Sequence, residues 1–204
     1  MINFHGANKP AGESRTWPNE MTREGIYGLE HRNAKSWSTY NATMPFARML
    51  AGHADYTPVV FGERRKETSW AHQIATAVVL TSPLLVYGGN PAALLSSPAA
   101  DLIKSIPSVW DETRVLAPSE IGSLAVFARR RDDAWFVAAL NGPEARTITV
   151  DTAFLKPGAY KAMIVRDNLE QDGAVVVDTR EVRRGQPLEL SMRAAGGFVI
   201  RFSK

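Results

Sequence analysis

The most constraining feature of this 204-residue chain is a series of short segments, beginning near Ser123, in which apolar and polar residues alternate. Such alternation is typical of strands that bury one face. The segments are 124–129, 134–140, 147–150, 159–165, 175–178, 188–191 and 197–202. Turn-forming pairs such as Asn141-Gly142, Pro157-Gly158 and Asp172-Gly173 separate several of them. The spacing predicts an antiparallel β-sandwich over residues 112–204.

Residues 1–111 have a different texture, with short apolar runs between helical patterns and long polar loops. We predict strands at 2–5 and 84–87, and helices at 44–50, 67–80 and 99–105. Strand, long loop, helix and strand follow one another as in a β/α barrel, although a complete barrel needs about 250 residues. The expected fold class is therefore α/β plus all-β. Residues 1–111 would be the C-terminal part of a (β/α)8 barrel, and residues 112–204 the sandwich.

Composition excludes several classes of protein. The absence of Cys rules out disulfides, thiolate metal sites and a Cys nucleophile. An apolar content of 45% argues against disorder, and a net charge of +3 is weak support for a nucleic-acid surface. The sequence has neither a Gly-rich phosphate loop nor an apolar run long enough for a bilayer. We therefore expect no nucleic-acid partner and no membrane partner.

Polar residues after the first predicted strand form the candidate site. His5 ends that strand, where barrel active sites are built, and Glu24 and Glu30 lie in the long segment after it. Gly25 and Gly28 would let the backbone turn so that both carboxylates point inward. Two converging carboxylates suit either a shared Ca²⁺ ion or acid and base work on a sugar. The alternatives are solvated surface carboxylates, and a His5 that is capped by backbone instead of contacting substrate.

Four further side chains have candidate roles. Arg15 is expected to hold the loop by bonding backbone carbonyls or Asp55, and Asp55 either orients the site or belongs to a turn. Trp17 either stacks on a sugar or anchors the loop. His72 is expected to pack on the barrel, because its neighbours in the predicted helix are core positions.

A set of spaced motifs resembles glycoside hydrolase family 97, a family of α-glucosidases and α-galactosidases. The motifs are His5-Gly6-Ala7, Lys9-Pro10, Arg15-Thr16, Pro18-Asn19, Glu24-Gly25, Gly28-Leu29-Glu30, Asp55-Tyr56-Thr57-Pro58 and Trp110-Asp111-Glu112-Thr113. They are spaced over the first half of the chain, and later landmarks such as Trp135 and Asn141-Gly142 resemble the family's C-terminal sandwich. The resemblance implies that an N-terminal β-super-sandwich and the first part of the barrel are missing from this chain.

The resemblance also implies roles for individual residues. Glu30 matches the general acid, and Glu24 matches a calcium ligand, with Glu30 close to or on the ion. Gly6 stands where inverting members have a Glu base, whereas retaining members use an Asp nucleophile on an earlier strand. This implies a C-terminal fragment of a retaining exo-acting α-glycosidase, an α-galactosidase or α-glucosidase. Its substrate would be an oligosaccharide or α-glycoside with a terminal α-linked hexose.

Two further expectations follow from that resemblance. Without the nucleophile the isolated chain would be inactive, and its binding of Ca²⁺ would be weak or absent. The family is periplasmic or secreted, so the same is expected of the parent protein. The alternative is a non-catalytic module, in which the sandwich binds carbohydrate or braces a barrel, because sandwiches serve many functions. Exposed coplanar aromatic residues on one sheet face would favour carbohydrate binding.

Overall fold

The computed structural model describes residues 1–31 and 36–204, with short elements in the first half and long strands in the second. The first half contains β1 (Ile2–Phe4), α1 (Glu13–Thr16), β2 (Glu20–Arg23), α2 (Trp37–Thr43), α3 (Trp70–Val79), α4 (Pro91–Ser96) and α5 (Ala100–Ser105). Short 3₁₀ helices lie at Met44–Phe46, Arg48–Ala51 and Glu63–Arg65. The second half contains β3 (Glu112–Val115), β4 (Leu124–Arg131), β5 (Ala134–Asn141), β6 (Arg146–Val150), β7 (Ala159–Asp167), β8 (Val175–Arg183), β9 (Leu188–Met192) and β10 (Gly197–Ser203).

The second half is an antiparallel β-sandwich, as the alternating segments predict. One sheet has six strands in the order β3-β4-β5-β10-β7-β8, and β6 pairs with β9 in a second, two-stranded sheet. All seven predicted strands are present. The additional strand, β3, escaped prediction because its residues are mostly exposed and show no apolar alternation.

The six-stranded sheet is buried on both faces at its centre. One face packs against β6 and β9 through residues such as Val126, Ile164 and Ile200. The opposite face packs against α3, where Phe136 and Val199 belong to the same core cluster as helix residues. Because both faces are covered, β4 and β5 each contain at least six consecutive buried residues.

The helix predicted at 67–80 is confirmed as α3. Ser69 caps it by accepting a hydrogen bond from the backbone N–H of His72. Nine of its ten residues are buried, because the helix lies between the large sheet and the first half of the chain. The helix predicted at 99–105 is present as α5, whereas the chain at 44–50 forms the two 3₁₀ turns after α2.

The buried strand predicted at 84–87 is wrong. These residues form no strand, and Leu84 and Val86 are 42% and 44% exposed. An apolar run becomes a strand only when another strand pairs with it, and no described strand does so here. Among the described residues, no helix is both long enough and apolar enough to cross a bilayer.

A buried polar network joins α3 to the sandwich. His72 donates from Nδ1 to the carbonyl oxygen of Gly196 at 3.0 Å, and its Nε2 accepts from the side-chain amide of Asn41 at 3.0 Å. Ser69 donates to the Asp167 carboxylate at 2.5 Å, and the backbone N–H of Gly197 donates to the same carboxylate at 2.9 Å. His72 is therefore a buried helix residue whose ring bonds to the sandwich.

Burial shifts the pKa values of two members of this network in opposite directions. It lowers the pKa of His72 from 6.5 to about 4 and raises the pKa of Asp167 from 3.8 to about 6. Below pH 6.5 the unfolded chain binds a proton at His72 and the folded chain does not, so this group destabilises the fold as pH falls. Below pH 6 the folded chain protonates Asp167 before the unfolded chain does, so this group stabilises the fold as pH falls.

We predict that the two contributions partly cancel in the wild-type chain between pH 7 and pH 4. Each is worth about 2–3 kcal/mol over that range, at about 1.4 kcal/mol per pKa unit. Relative to wild type, His72→Gln should lose less stability on acidification and Asp167→Asn should lose more. Urea unfolding at several pH values measures the difference, and three parallel pH profiles would contradict it.

Candidate functional site

The parallel pairing of β1 with β2 creates the candidate site. Phe4 pairs with Arg23, so the two strands end at the same edge, with His5 following β1 and Glu24 following β2. Glu24 and Glu30 therefore lie in the segment after β2, not in one continuous loop after β1 as the sequence suggested. Because β2 is a strand of four residues without a clear apolar alternation, its sequence gave little signal.

A cleft of about 620 Å³ lies at this edge, lined by residues that include His5, Glu24, Glu30, Tyr27 and His31. One ligand atom from each of His5, Glu24 and Glu30 lies within 4.8 Å of the others. The structure thus brings together all three residues that the sequence singled out. Their chemical roles stay a prediction.

Glu24 is fixed in place by backbone contacts on both sides. Its Oε2 accepts a hydrogen bond from the backbone N–H of Gly6, and its own carbonyl accepts from the Arg48 guanidinium at 2.7 Å. Gly25 has a φ of +50°, and a Cβ there would lie 2.6 Å from the Cα of Lys9. Only glycine allows this close backbone approach. The Glu24 side chain is 6% exposed.

Arg48 holds the backbone around Glu24 in place. Its guanidinium donates to several backbone carbonyls, at distances of 2.7–3.3 Å: those of Arg23, Glu24, Gly25, Gly52 and His53. Burial lowers the pKa of Arg48 from its usual value. No contact of Arg48 was predicted from the sequence, because its contacts depend on the fold and leave no local pattern.

Glu30 is more accessible, with its side chain 35% exposed. Its carboxylate folds back over Gly28, where a Cβ would lie 2.7 Å from Glu30 Oε1. The Nε2 atom of His31 lies 3.5 Å from Glu30 Oε1 and 4.0 Å from Glu24 Oε1. The Tyr27 ring packs on His31 with ring centroids 4.7 Å apart.

His5 is oriented by the buried Asp55 carboxylate. The Nδ1 atom of His5 lies 3.2 Å from Asp55 Oδ2, which also accepts from the Asn3 side-chain amide at 3.0 Å. The hydrogen bond to Asp55, followed by the negative charge of Glu24, raises the pKa of His5. Of the two roles considered for Asp55, the structure supports the orienting one.

The structure argues against two candidate roles in the loop after β1. Arg15 is exposed, and Arg48 makes the contacts to backbone carbonyls that were expected of it. Trp17 is 66% exposed and lies just before β2, at the opposite end of that strand from Glu24. It therefore does not stack on a sugar in this cleft.

We predict that Arg48→Met destabilises the chain by about 3 kcal/mol, because five buried or partly buried carbonyls lose a charged donor. Arg15→Met is the matched control, and it should change stability by less than about 0.5 kcal/mol because Arg15 is exposed. Chemical denaturation of both variants measures the difference. Equal losses of stability at the two positions would show that the Arg48 contacts stabilise the fold no more than an exposed arginine does.

Comparison with known proteins finds relatives whose descriptions agree with one another. A family described as "Glycosyl-hydrolase 97 C-terminal, oligomerisation" matches residues 109–203. A retaining alpha-galactosidase of Bacteroides thetaiotaomicron is 30% identical over 98% of this chain and 33% of its own length. A probable retaining alpha-galactosidase of Streptomyces bingchenggensis is 34% identical over 97% of this chain and 31% of its own length. The chain therefore spans about a third of the length of these relatives.

Solved structures agree over the full chain. A glycoside hydrolase family 97 enzyme from Pseudoalteromonas sp. strain K8, in complex with acarbose, superposes with a TM-score of 0.89 at 30% identity. The match covers 100% of this chain and 34% of that enzyme. A beta-arabinopyranosidase superposes with a TM-score of 0.84 at 24% identity, which shows likeness of fold alone.

Proposed function

We propose that this chain is the C-terminal part of a retaining exo-acting α-glycosidase. The premise is that residues 109–203 match the C-terminal domain of glycoside hydrolase family 97. The parent protein would remove a terminal α-linked hexose, galactose or glucose, from an oligosaccharide or α-glycoside. The observation that carries the proposal is the meeting of His5, Glu24 and Glu30 in one cleft. Relatives named as retaining alpha-galactosidases, and structures with acarbose or panose bound, support the substrate class.

Residues 1–111 would close the barrel of the parent protein. Two features of the structure support this assignment. The strands β1 and β2 are parallel, and the cleft lies at their C-terminal ends, where barrel enzymes place their active sites. The superposition on the Pseudoalteromonas enzyme also extends over this part of the chain. The described residues do not themselves form a barrel.

Glu30 is the residue we assign as acid and base. It is the accessible carboxylate of the pair, so it can protonate the glycosidic oxygen and then take a proton from water in the second step. Glu24 is too buried to reach a substrate. His5, with its side chain 64% exposed, would contact a sugar hydroxyl.

The second carboxylate of a retaining pair would come from outside this chain. Retention requires a nucleophile about 5–5.5 Å from the acid, on the far side of the anomeric carbon. Gly6 supplies no carboxylate, and its backbone N–H already holds Glu24. This is why we favour an upstream nucleophile and a retaining outcome.

Calcium fits the donors of this chain only in part. Glu24 and Glu30 offer carboxylate oxygens, but Ca²⁺ takes about 6–8 oxygen ligands, and the third donor within reach is an imidazole nitrogen of His5. We therefore propose that the two carboxylates hold Ca²⁺ only together with oxygens from outside this chain. The isolated chain would bind it weakly or not at all.

We predict that the isolated chain does not hydrolyse nitrophenyl α-galactoside or α-glucoside above the buffer rate, because acid catalysis without a nucleophile leaves the first displacement undone. The test compares product release by wild type and Glu30→Gln. Turnover that disappears in the variant would show that the chain contains a complete active site.

The decisive experiment joins this chain to the upstream two thirds of the Bacteroides relative, in place of that enzyme's own last third. We expect hydrolysis of an alkyl α-galactoside, whose leaving oxygen needs a proton, with retained configuration, and a loss of about 10²-fold or more in Glu30→Gln. The matched control is Glu63→Gln, which changes an exposed carboxylate. An inverted first product, or full activity in Glu30→Gln, would refute the assignment.

The alternative of a carbohydrate-binding module has no specific support in the sandwich. The exposed large apolar residues of residues 112–204, all of which the structure describes, are Val115, Ile121 and Leu169. None is aromatic, so the sheet faces offer no stacking platform for a sugar ring. A bracing role for the sandwich remains compatible with its contacts to α3.

A further inference from the structure

Tyr27 is an exposed aromatic residue close to the proposed acid. It is 59% exposed and lines the cleft together with Glu30. Among the described residues, the other exposed Phe, Tyr or Trp side chains are Phe4 and Trp17, and neither lines this cleft. Covering an exposed aromatic ring is favourable, because its apolar faces leave water. Tyr27 is therefore a candidate contact for a ligand in the cleft.

The backbone of Tyr27 is held by α2. Its N–H donates to the hydroxyl oxygen of Tyr40 at 2.7 Å. The Tyr40 ring meets the buried Trp37 ring edge-on, with centroids 5.6 Å apart. The Tyr27 ring itself packs against His31 at a tilt of 56°. Its position is thus set by the fold while much of its surface stays open, which lowers the entropy lost when a ligand binds.

The exposure of the cleft residues increases from the buried carboxylate toward Tyr27. The Glu24 side chain is 6% exposed and that of Glu30 is 35% exposed. The His31 side chain is 47% exposed, and it adjoins both Glu30 and Tyr27. Tyr27 therefore lies at the solvent end of this series, beyond the acid.

His5 is also exposed, but it lies on a different side of the cleft. It follows β1, which pairs only with β2 among the described strands. The upstream strands of the proposed barrel would join beside β1 and cover that side. Tyr27 lies in the segment after β2 and is bonded to α2, both of which this chain contains. The opening for a substrate is thus expected on the Tyr27 side.

These positions assign Tyr27 to one end of the substrate. An exo-acting enzyme holds the terminal sugar inside its cleft, so the rest of the substrate extends toward the opening. The general acid adjoins the oxygen of the leaving group. An aromatic ring beyond the acid, on the solvent side, therefore meets the leaving group instead of the terminal sugar. The apolar C–H face of a pyranose ring can pack on such a ring.

We propose that Tyr27 is the contact surface for the leaving group, and that this leaving group is a pyranose sugar. The inference rests on the proposed function, in which Glu30 is the acid. It assigns the parent protein a preference for oligosaccharides over substrates with a small leaving group. The contact is made by the aromatic ring, so the phenolic hydroxyl is not required.

The first test is a titration of the 204-residue chain with methyl β-glucoside, followed by NMR chemical shifts. We expect weak, saturable binding that shifts the resonances of Tyr27 and His31. Tyr27→Ala should weaken binding at least about fivefold, whereas Tyr27→Phe should stay within about twofold of wild type. Trp17→Ala removes an exposed aromatic ring outside the cleft and is the matched control. Absence of saturable binding, or equal binding by Tyr27→Ala, would overturn the inference.

The second test uses the joined protein and two substrates, an α-galactosyl-glucose disaccharide and α-galactosyl fluoride. The value of kcat/KM includes the first displacement, in which the leaving group is present, and fluoride offers no sugar ring to Tyr27. Tyr27→Ala should lower kcat/KM at least about tenfold more for the disaccharide than for the fluoride. Trp17→Ala should leave the ratio of the two values unchanged. Equal losses for both substrates in Tyr27→Ala would refute the contact with the leaving group.

The two tests separate this inference from the glycosidase proposal. If the joined protein is active but Tyr27→Ala affects both substrates equally, the inference fails and the glycosidase proposal stands. If the joined protein is inactive toward both substrates, the glycosidase proposal fails, and the assignment to a leaving group fails with it. Binding of methyl β-glucoside that depends on Tyr27 would then still identify the ring as a sugar contact.

Discussion

The candidate site depends on one buried, positively charged side chain, that of Arg48. The Arg48 guanidinium bonds the carbonyls of the segment that follows β2 and those of Gly52 and His53, so it ties two loops to one point. Removing a guanidinium from water is costly and lowers its pKa, and the carbonyl acceptors compensate for that cost. The position of the Glu24 backbone follows from this arrangement. The parallel pairing of β1 with β2 then brings Glu24 close to His5.

The sandwich is joined to the first half of the chain through α3. Its large sheet is buried on one face by β6 and β9 and on the other by α3, and the polar network of His72 and Asp167 bonds the helix to the sandwich. Such buried polar contacts demand a specific geometry, because an unpaired donor or acceptor is costly. The helix and the sandwich therefore meet in a defined way, and their contact does not rest on apolar packing alone.

The sandwich was predictable from sequence because its signal is local. Period-two alternation and turn pairs mark each strand, and only β3, which buries little, escaped. The secondary structure of the first half of the chain was harder to predict. The strand β2 has a weak pattern, and the run at 84–87 is apolar without a described strand as its partner.

For the site, residue type and order identified His5, Glu24 and Glu30, but their meeting requires the parallel register of β1 and β2. Arg48 and the orienting contact of Asp55 are long-range effects, and no spacing in the sequence encodes them.

The two glutamates differ in burial, and each environment suits a different part of the proposed chemistry. A general acid must carry a proton and reach the substrate, whereas a metal ligand must be ionised and held still. Glu24 is fixed by Gly6 and nearly inaccessible, which suits a ligand. Glu30 is more accessible, folds over Gly28 and has His31 Nε2 3.5 Å from its Oε1, which suits the proposed role of an acid. Gly25 allows the close backbone approach beside the buried Glu24, and Gly28 leaves room for the more accessible Glu30 carboxylate. The two glutamates therefore have different surroundings although they are only six residues apart.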